Sequence, residues 1–190
     1  VTKLILSFFW HAPITADDLK VHVKSDAVKV LSMNMSVDVP FVRNRRDAVL
    51  RATDGVVLPD TDQDVLYVSV VERYGKTTNK PVAFVSGFGL KYGAMATSTA
   101  PDDNNIVCIG TNPDDMAVAI NWIIEKGGGQ TFVKDREVTV GLELPIGGIV
   151  SDIDPVAMAA KEDALDKAAR DAGCQLEWPF MNMFVLSITA

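Results

Sequence analysis

Pro81–Asn121, PVAFVSGFGLKYGAMATSTAPDDNNIVCIGTNPDDMAVAIN, is the stretch on which the reading of this chain turns. Its apolar runs are separated by turn signals. Pro81–Val85 reads as a strand, Ala94–Thr99 as a second, and Ile106–Ile109 as a short buried third. A well-marked helix start follows. Asn112 stands as an N-cap, Pro113 takes the first helical position, and Asp114 and Asp115 lie where carboxylates complement the positive end of the helix dipole. Met116, Ile120, Ile123 and Ile124 recur at helical spacing and Gly127 supplies the stop, which predicts a helix over about 112–127. Gly87, Gly89 and Gly93 permit positive φ or close backbone approach. A phosphate cradle needs a helix directly after its glycines; a strand follows here, so the expectation is a bulged hairpin. The turn Pro101-Asp102-Asp103-Asn104-Asn105 is the densest polar cluster between two strand-like runs, and a site is expected there.

Upstream, Val1–Trp10 reads as a strand or an ordered arm. Leu19–Val23 alternates apolar and polar as a half-buried strand, with His22 on the polar phase. Ala27–Met35 and Phe41–Leu50 are extended, Asp54-Gly55 is a hairpin turn, Val56–Leu58 continues beyond it, and Val65–Val71 is strongly β-prone. Asp60, Asp62 and Asp64 alternate in an acidic loop that lacks the Gly and Glu of a calcium loop and reads as a solvated turn. Downstream, Gln130–Lys134 and Val138–Leu144 form a hairpin turning at Asp135-Arg136. Asp154 caps a second helix, about 154–173, with Pro155 at its start and Gly173 after its end. Its inner face is expected to be Ala157, Ala160, Ala164, Leu165, Ala168 and Ala172. Phe180–Ile188 reads as a closing buried strand. The fold class is α+β: a mixed, mostly antiparallel sheet system with two helices on its faces, in a single domain over 1–190.

Composition narrows the function. The chain has 190 residues, 48% hydrophobic and 23% charged, with a net charge of −7. That argues against a nucleic-acid partner, which requires a clustered basic surface. The one basic knot, Arg43, Arg45, Arg46 and Arg51, reads as a solvated strand face. Val1–Trp10 is apolar but much too short to span a bilayer. Cys108 and Cys174 form no disulfide framework, which fits a reducing, cytoplasmic setting. The chain starts without Met, which fits removal of that residue or a piece of something longer. With two histidines, His11 and His22, and no HxH or HExxH, an imidazole-based metal centre is not expected within this chain. Asp102 and Asp103 could do acid–base work or could cap the turn through their own side chains; the residues alone favour capping.

The blocks VVERYG (Val70–Gly75), SGFGLKYGAMATSTA (Ser86–Ala100), NNIVCIGTNPDDMAVAIN (Asn104–Asn121), GGG (Gly127–Gly129), LPIGGIVSD (Leu144–Asp152) and PFM (Pro179–Met181), in that order, resemble the C-terminal domain of bacterial and archaeal adenine deaminases of the amidohydrolase superfamily. The resemblance runs from about Leu19 to Ser187. It implies a parent enzyme that hydrolyses adenine to hypoxanthine and ammonia through a metal-bound hydroxide. The metal, manganese or iron, would be held by a barrel domain that this chain does not contain. The partners it implies are that amidohydrolase barrel, in cis or in trans, and further copies in a homo-oligomer. Asp102 and Asn105 match the family's turn and are the catalytic candidates; Arg73, Lys91, Asp103 and Asn104 are candidates for substrate binding. Where the family carries histidine, this chain has Tyr74, Pro101 and Asn104, so imidazole proton transfer is lost at those positions. The alternative reading is a stand-alone, diverged, non-catalytic module that binds a small ligand or a protein.

Overall fold

The computed structural model describes residues 12–100 and 103–187. Among them are nine strands: β1 (Ala27–Met35), β2 (Arg43–Thr53), β3 (Val56–Val57), β4 (Leu66–Val71), β5 (Val82–Ser86), β6 (Ala94–Thr97), β7 (Ile106–Gly110), β8 (Gly129–Lys134) and β9 (Glu137–Glu143). Three helices accompany them, α1 (Pro113–Lys126), α2 (Pro155–Asp171) and α3 (Pro179–Ser187), with a 3-10 turn at Asp17–Leu19. The strands form one sheet in the order β3-β2-β1-β5-β4-β7-β6-β8-β9. Every pairing is antiparallel except β1 with β5, a parallel register of Ser32, Met33 and Asn34 against Phe84, Val85 and Ser86. The α+β expectation therefore holds.

Alternation of side chains builds two cores, one on each face of the sheet. On β4, Leu66 and Val68 point to one face and Tyr67 and Val71 to the other; on β7, Val107 and Ile109 oppose Ile106 and Cys108. Met116, Ala119, Ile120 and Ile123 of α1 close the second face. Leu165 and Ala169 of α2, with Phe180, Met183 and Leu186 of α3, close the first. The α1 caps form as the sequence dictates: Asn112 accepts from the Asp115 N–H at 2.8 Å, and Gly127 takes the left-handed conformation. Asp115 is itself buried and accepts from the Arg136 N–H at 2.7 Å, so the helix start also holds the β8–β9 turn.

Several expectations are corrected. Phe180–Ser187 is helix, not strand; Ile188 lies outside the described residues. A continuous apolar run does not distinguish the two by periodicity, and Pro179 at its head favours the helix start. Asn182 and Ser187 keep this buried helix polar-satisfied by donating back to Trp178 and Phe184 carbonyls at 2.9 Å each. Leu19–Val23 is not a strand: Leu19 ends the 3-10 turn and His22, exposed, makes one isolated bridge to Val56. The inner face of α2 is Leu165, Ala169 and Ala172, with Met158 and Ala168 partly buried; Ala157, Ala160 and Ala164 are exposed. Finally, β5 and β6 do not pair, so the glycine segment between them is no hairpin. It crosses the sheet past β4 and β7. The Val1–Trp10 expectation falls outside the described residues.

The glycine segment is held by the acidic loop. Asp64 accepts from the Gly87 and Gly89 N–H groups, each at 2.7 Å. Backbone N–H groups that converge this way form an anion nest, and here a carboxylate of the same chain fills it. Asp60 accepts from the Asp62 and Gln63 N–H groups at 3.0 and 2.9 Å, so it caps its own turn, as expected for a solvated acidic loop.

Candidate functional site

One edge of the sheet gathers the end of β4, the end of β6, the start of β7, the start of β8 and the end of β9; the register pairs Val71 with Ile106, Thr97 with Gln130 and Gly129 with Glu143. Arg73 and Tyr74, the turn around Asp103–Asn105, Ser98 and the loop Pro145–Val150 all emerge there.

Arg73 is the centre of this edge. It is 4% exposed, an uncommon position for a cation, which must be compensated when buried. Its guanidinium donates to the Gly147 carbonyl at 2.9 Å and to the Tyr74 hydroxyl at 3.1 Å, and lies 4.9 Å from the Tyr74 ring centroid. Its backbone N–H donates to Asn105 Oδ1 at 3.4 Å. Asn105 in turn donates through Nδ2 to Asp103 Oδ2 at 3.2 Å, and its N–H donates to Asp103 Oδ1 at 3.0 Å. Arg73, Asn105 and Asp103 are thus joined in one hydrogen-bonded chain. Glu72 fixes the adjoining loop by accepting from the N–H groups of Tyr74, Lys76 and Thr77 at 2.6, 3.0 and 3.0 Å.

Ser98 ties the same edge to the glycines. Its hydroxyl accepts from the Gly129 N–H at 2.8 Å and donates to the Gly148 carbonyl at 2.5 Å. Gly148 has φ +77°, and a Cβ there would fall on the Arg73 guanidinium, so a larger residue would have to displace it. Among the described residues, Thr99 Oγ1 and Asn104 Oδ1 at this edge are buried without a hydrogen-bond partner. Asn104 sits at φ +51°, a conformation that asparagine tolerates better than most residues.

The candidates divide as follows. Arg73, Asp103, Asn104 and Asn105 come together. Asp102 lies outside the described residues. Lys91 does not belong to this cluster: it donates through Nζ to the Thr61 carbonyl at 2.5 Å and through its backbone to Ala172 at 2.7 Å, before the start of β6. The four residues of β6 separate it from Ser98 by roughly 13 Å. Lys91 is next to the site blocks in sequence but at the opposite end of a strand. Ser98, Thr99 and the Gly147-Gly148 pair were not singled out as site residues from the sequence. The adjacent glycines after Pro145, within the block LPIGGIVSD, are the available signal.

Asp103 uses both carboxylate oxygens on Asn105, which is the turn-capping role. The thiols are not poised as nucleophiles. Burial pushes Cys108 far above the ordinary thiol range, with Asp115 adding to it, and burial pushes Cys174 up to about 11. Among the described residues no three of His, Cys, Asp and Glu come together in a way that could hold a metal ion. The side chains described do not fit the divalent metal that the resemblance implies for the parent enzyme. Among the described residues no helix is long and apolar enough to cross a membrane.

The family profile described as the adenine deaminase C-terminal domain matches residues 41–190. The chain belongs to that family. It is 58% identical over 180 residues to adenine deaminase 4 of Rhizobium meliloti, covering 94% of this chain and 30% of that protein. It is 50% identical over 181 residues to adenine deaminase 1 of Desulfotalea psychrophila, again 94% of this chain and 30% of the relative. Adenine deaminase 1 of Latilactobacillus sakei is 44% identical over 177 residues, with 93% and 30% covered. The chain therefore spans about 30% of the length of these relatives, and in each of them the C-terminal domain accompanies a much longer segment.

Proposed function

We propose that this domain serves an adenine deaminase whose catalytic segment is an amidohydrolase barrel holding the divalent metal, and that the Arg73–Asn105 edge faces the purine site. The reaction of that assembly is hydrolysis of adenine to hypoxanthine and ammonia. The observation that carries the reading is one wired edge, buried Arg73 to Asn105 to Asp103, on a domain that spans 30% of adenine deaminases. Arg73 fixes the turn and the Gly147 loop in a common geometry. The Thr99 and Asn104 oxygens, buried and without a partner among the described residues, mark this edge as one whose hydrogen bonding a neighbouring group would complete. Asp102 and Asn105 are the positions the resemblance assigns to the family's turn. No step of the metal chemistry is assigned to this chain.

The second reading, a non-catalytic binding module, draws on Tyr74, Pro101 and Asn104, which lack the imidazoles the resemblance leads one to expect. Replacing the matched segment of the Rhizobium meliloti relative with this chain separates the two. Under the first reading the folded chimera releases ammonia from adenine with added manganese or iron, within about tenfold of the intact relative. A folded chimera without activity favours the module. Ammonia release by the 190-residue chain alone would overturn both.

A further inference from the structure

The loop Pro145–Val150 also carries exposed apolar side chains. Three of its six residues, Ile146, Ile149 and Val150, are branched aliphatics exposed by 50%, 41% and 49%. Isolated exposed aliphatics are ordinary; here three lie within five residues of one loop. The loop leads through Ser151–Asp154 into the first turn of α2, where Val156 is 78% exposed.

This apolar tip is rigidly supported. Its base accepts from Arg73 at Gly147 and from Ser98 at Gly148, its ends bridge as Ile146 with Val150, and the Leu144 N–H donates to the Gly128 carbonyl at 3.1 Å. A surface already ordered loses little conformational entropy on binding. The same hydrogen bonds connect the tip to the candidate site, so whatever docks on the tip lies next to the edge that Arg73 supports.

We infer that Ile146, Ile149 and Val150, with Val156, form the docking surface for the remaining part of an adenine deaminase chain. The inference rests on the reading above. It is supported by the length of chain outside this domain, since the matched segment is 30% of each relative, and by the continuity of the tip with the site.

The test uses the same chimera and the isolated 190-residue chain, compared by amide hydrogen exchange. Amides of Ile146–Val150 are expected to exchange at least about tenfold more slowly in the chimera. Those around Val49, a still more exposed aliphatic on β2, should be unchanged. The double variant Ile146→Asp/Ile149→Asp should abolish the protection and lower the melting temperature of the chimera while leaving that of the isolated chain unaltered. Equal exchange of the loop in both proteins, with protection appearing elsewhere in the domain, overturns the docking surface and leaves the proposed function standing. Protection of the loop without ammonia release retains the surface and removes the catalytic reading. No protection anywhere in a folded chimera overturns both.

Discussion

Gly87-Phe88-Gly89 and Gly147-Gly148 look alike as sequence, short glycine breaks after a strand, yet they are opposite in polarity. The first turns its N–H groups inward and receives the carboxylate of Asp64. The second turns its carbonyls inward and receives the Arg73 guanidinium and the Ser98 hydroxyl. The first surrounds Phe88, which is fully buried, and the second carries exposed aliphatics. Glycine permits the approach in both cases; what approaches decides whether the segment closes a core or builds a surface.

Alanine at the two sites should separate them. At Gly87, with φ +90°, a Cβ would collide with the Met35 main chain, whose carbonyl carbon would lie 2.8 Å away. Backbone cannot give as a side chain can, so Gly87→Ala is expected to cost about 3 kcal/mol or more, read as a lower urea midpoint. Asp64→Ala empties the nest and leaves two N–H groups without their charged acceptor, a loss of about 2–3 kcal/mol. Cys174, whose thiol burial holds at about 11 with Asp64 contributing, reports on this independently. In the native chain its alkylation at pH 8 should be on the order of 10² slower than in the unfolded chain, and in the Asp64 variant it should accelerate. At Gly148, with φ +77°, the obstacle is the far end of the Arg73 side chain, which can move. Gly148→Ala should cost only about 1–2 kcal/mol, with increased hydrogen exchange across Ile146–Val150. Equal costs at Gly87 and Gly148 would break the contrast.

The strands were legible because alternation is a local property: Ala27–Met35 is the strand the sequence predicts to the residue, and the caps of α1 act through side chains three residues apart. What was not legible depends on partners distant in the chain. Nothing within Val82–Thr97 indicates that β5 pairs with β4 and β1 rather than with β6. The apolar run at Phe180 is buried on more than one side, so it carries no period to read. In the site, Arg73, Asp103 and Asn105 share one hydrogen-bonded chain because they lie in loops at one sheet edge. Lys91 lies before the start of β6, at the other end of that strand from Ser98, a separation that adjacency in sequence does not reveal. Ser98 looked like an ordinary strand residue; its role exists only through Gly129 and Gly148, 31 and 50 residues away.

The parallel seam between β1 and β5 has a kinetic meaning. Three residue pairs and the Ser32–Ser86 hydroxyl contact at 2.8 Å join a hairpin of nine residue pairs to the rest of the sheet. The β1–β2 ribbon can assemble by local closure, whereas the seam must wait for segments about fifty residues apart to meet. The ribbon is accordingly expected to dock late in folding, when Met35 joins one core and Val30, Ala48 and Leu50 the other.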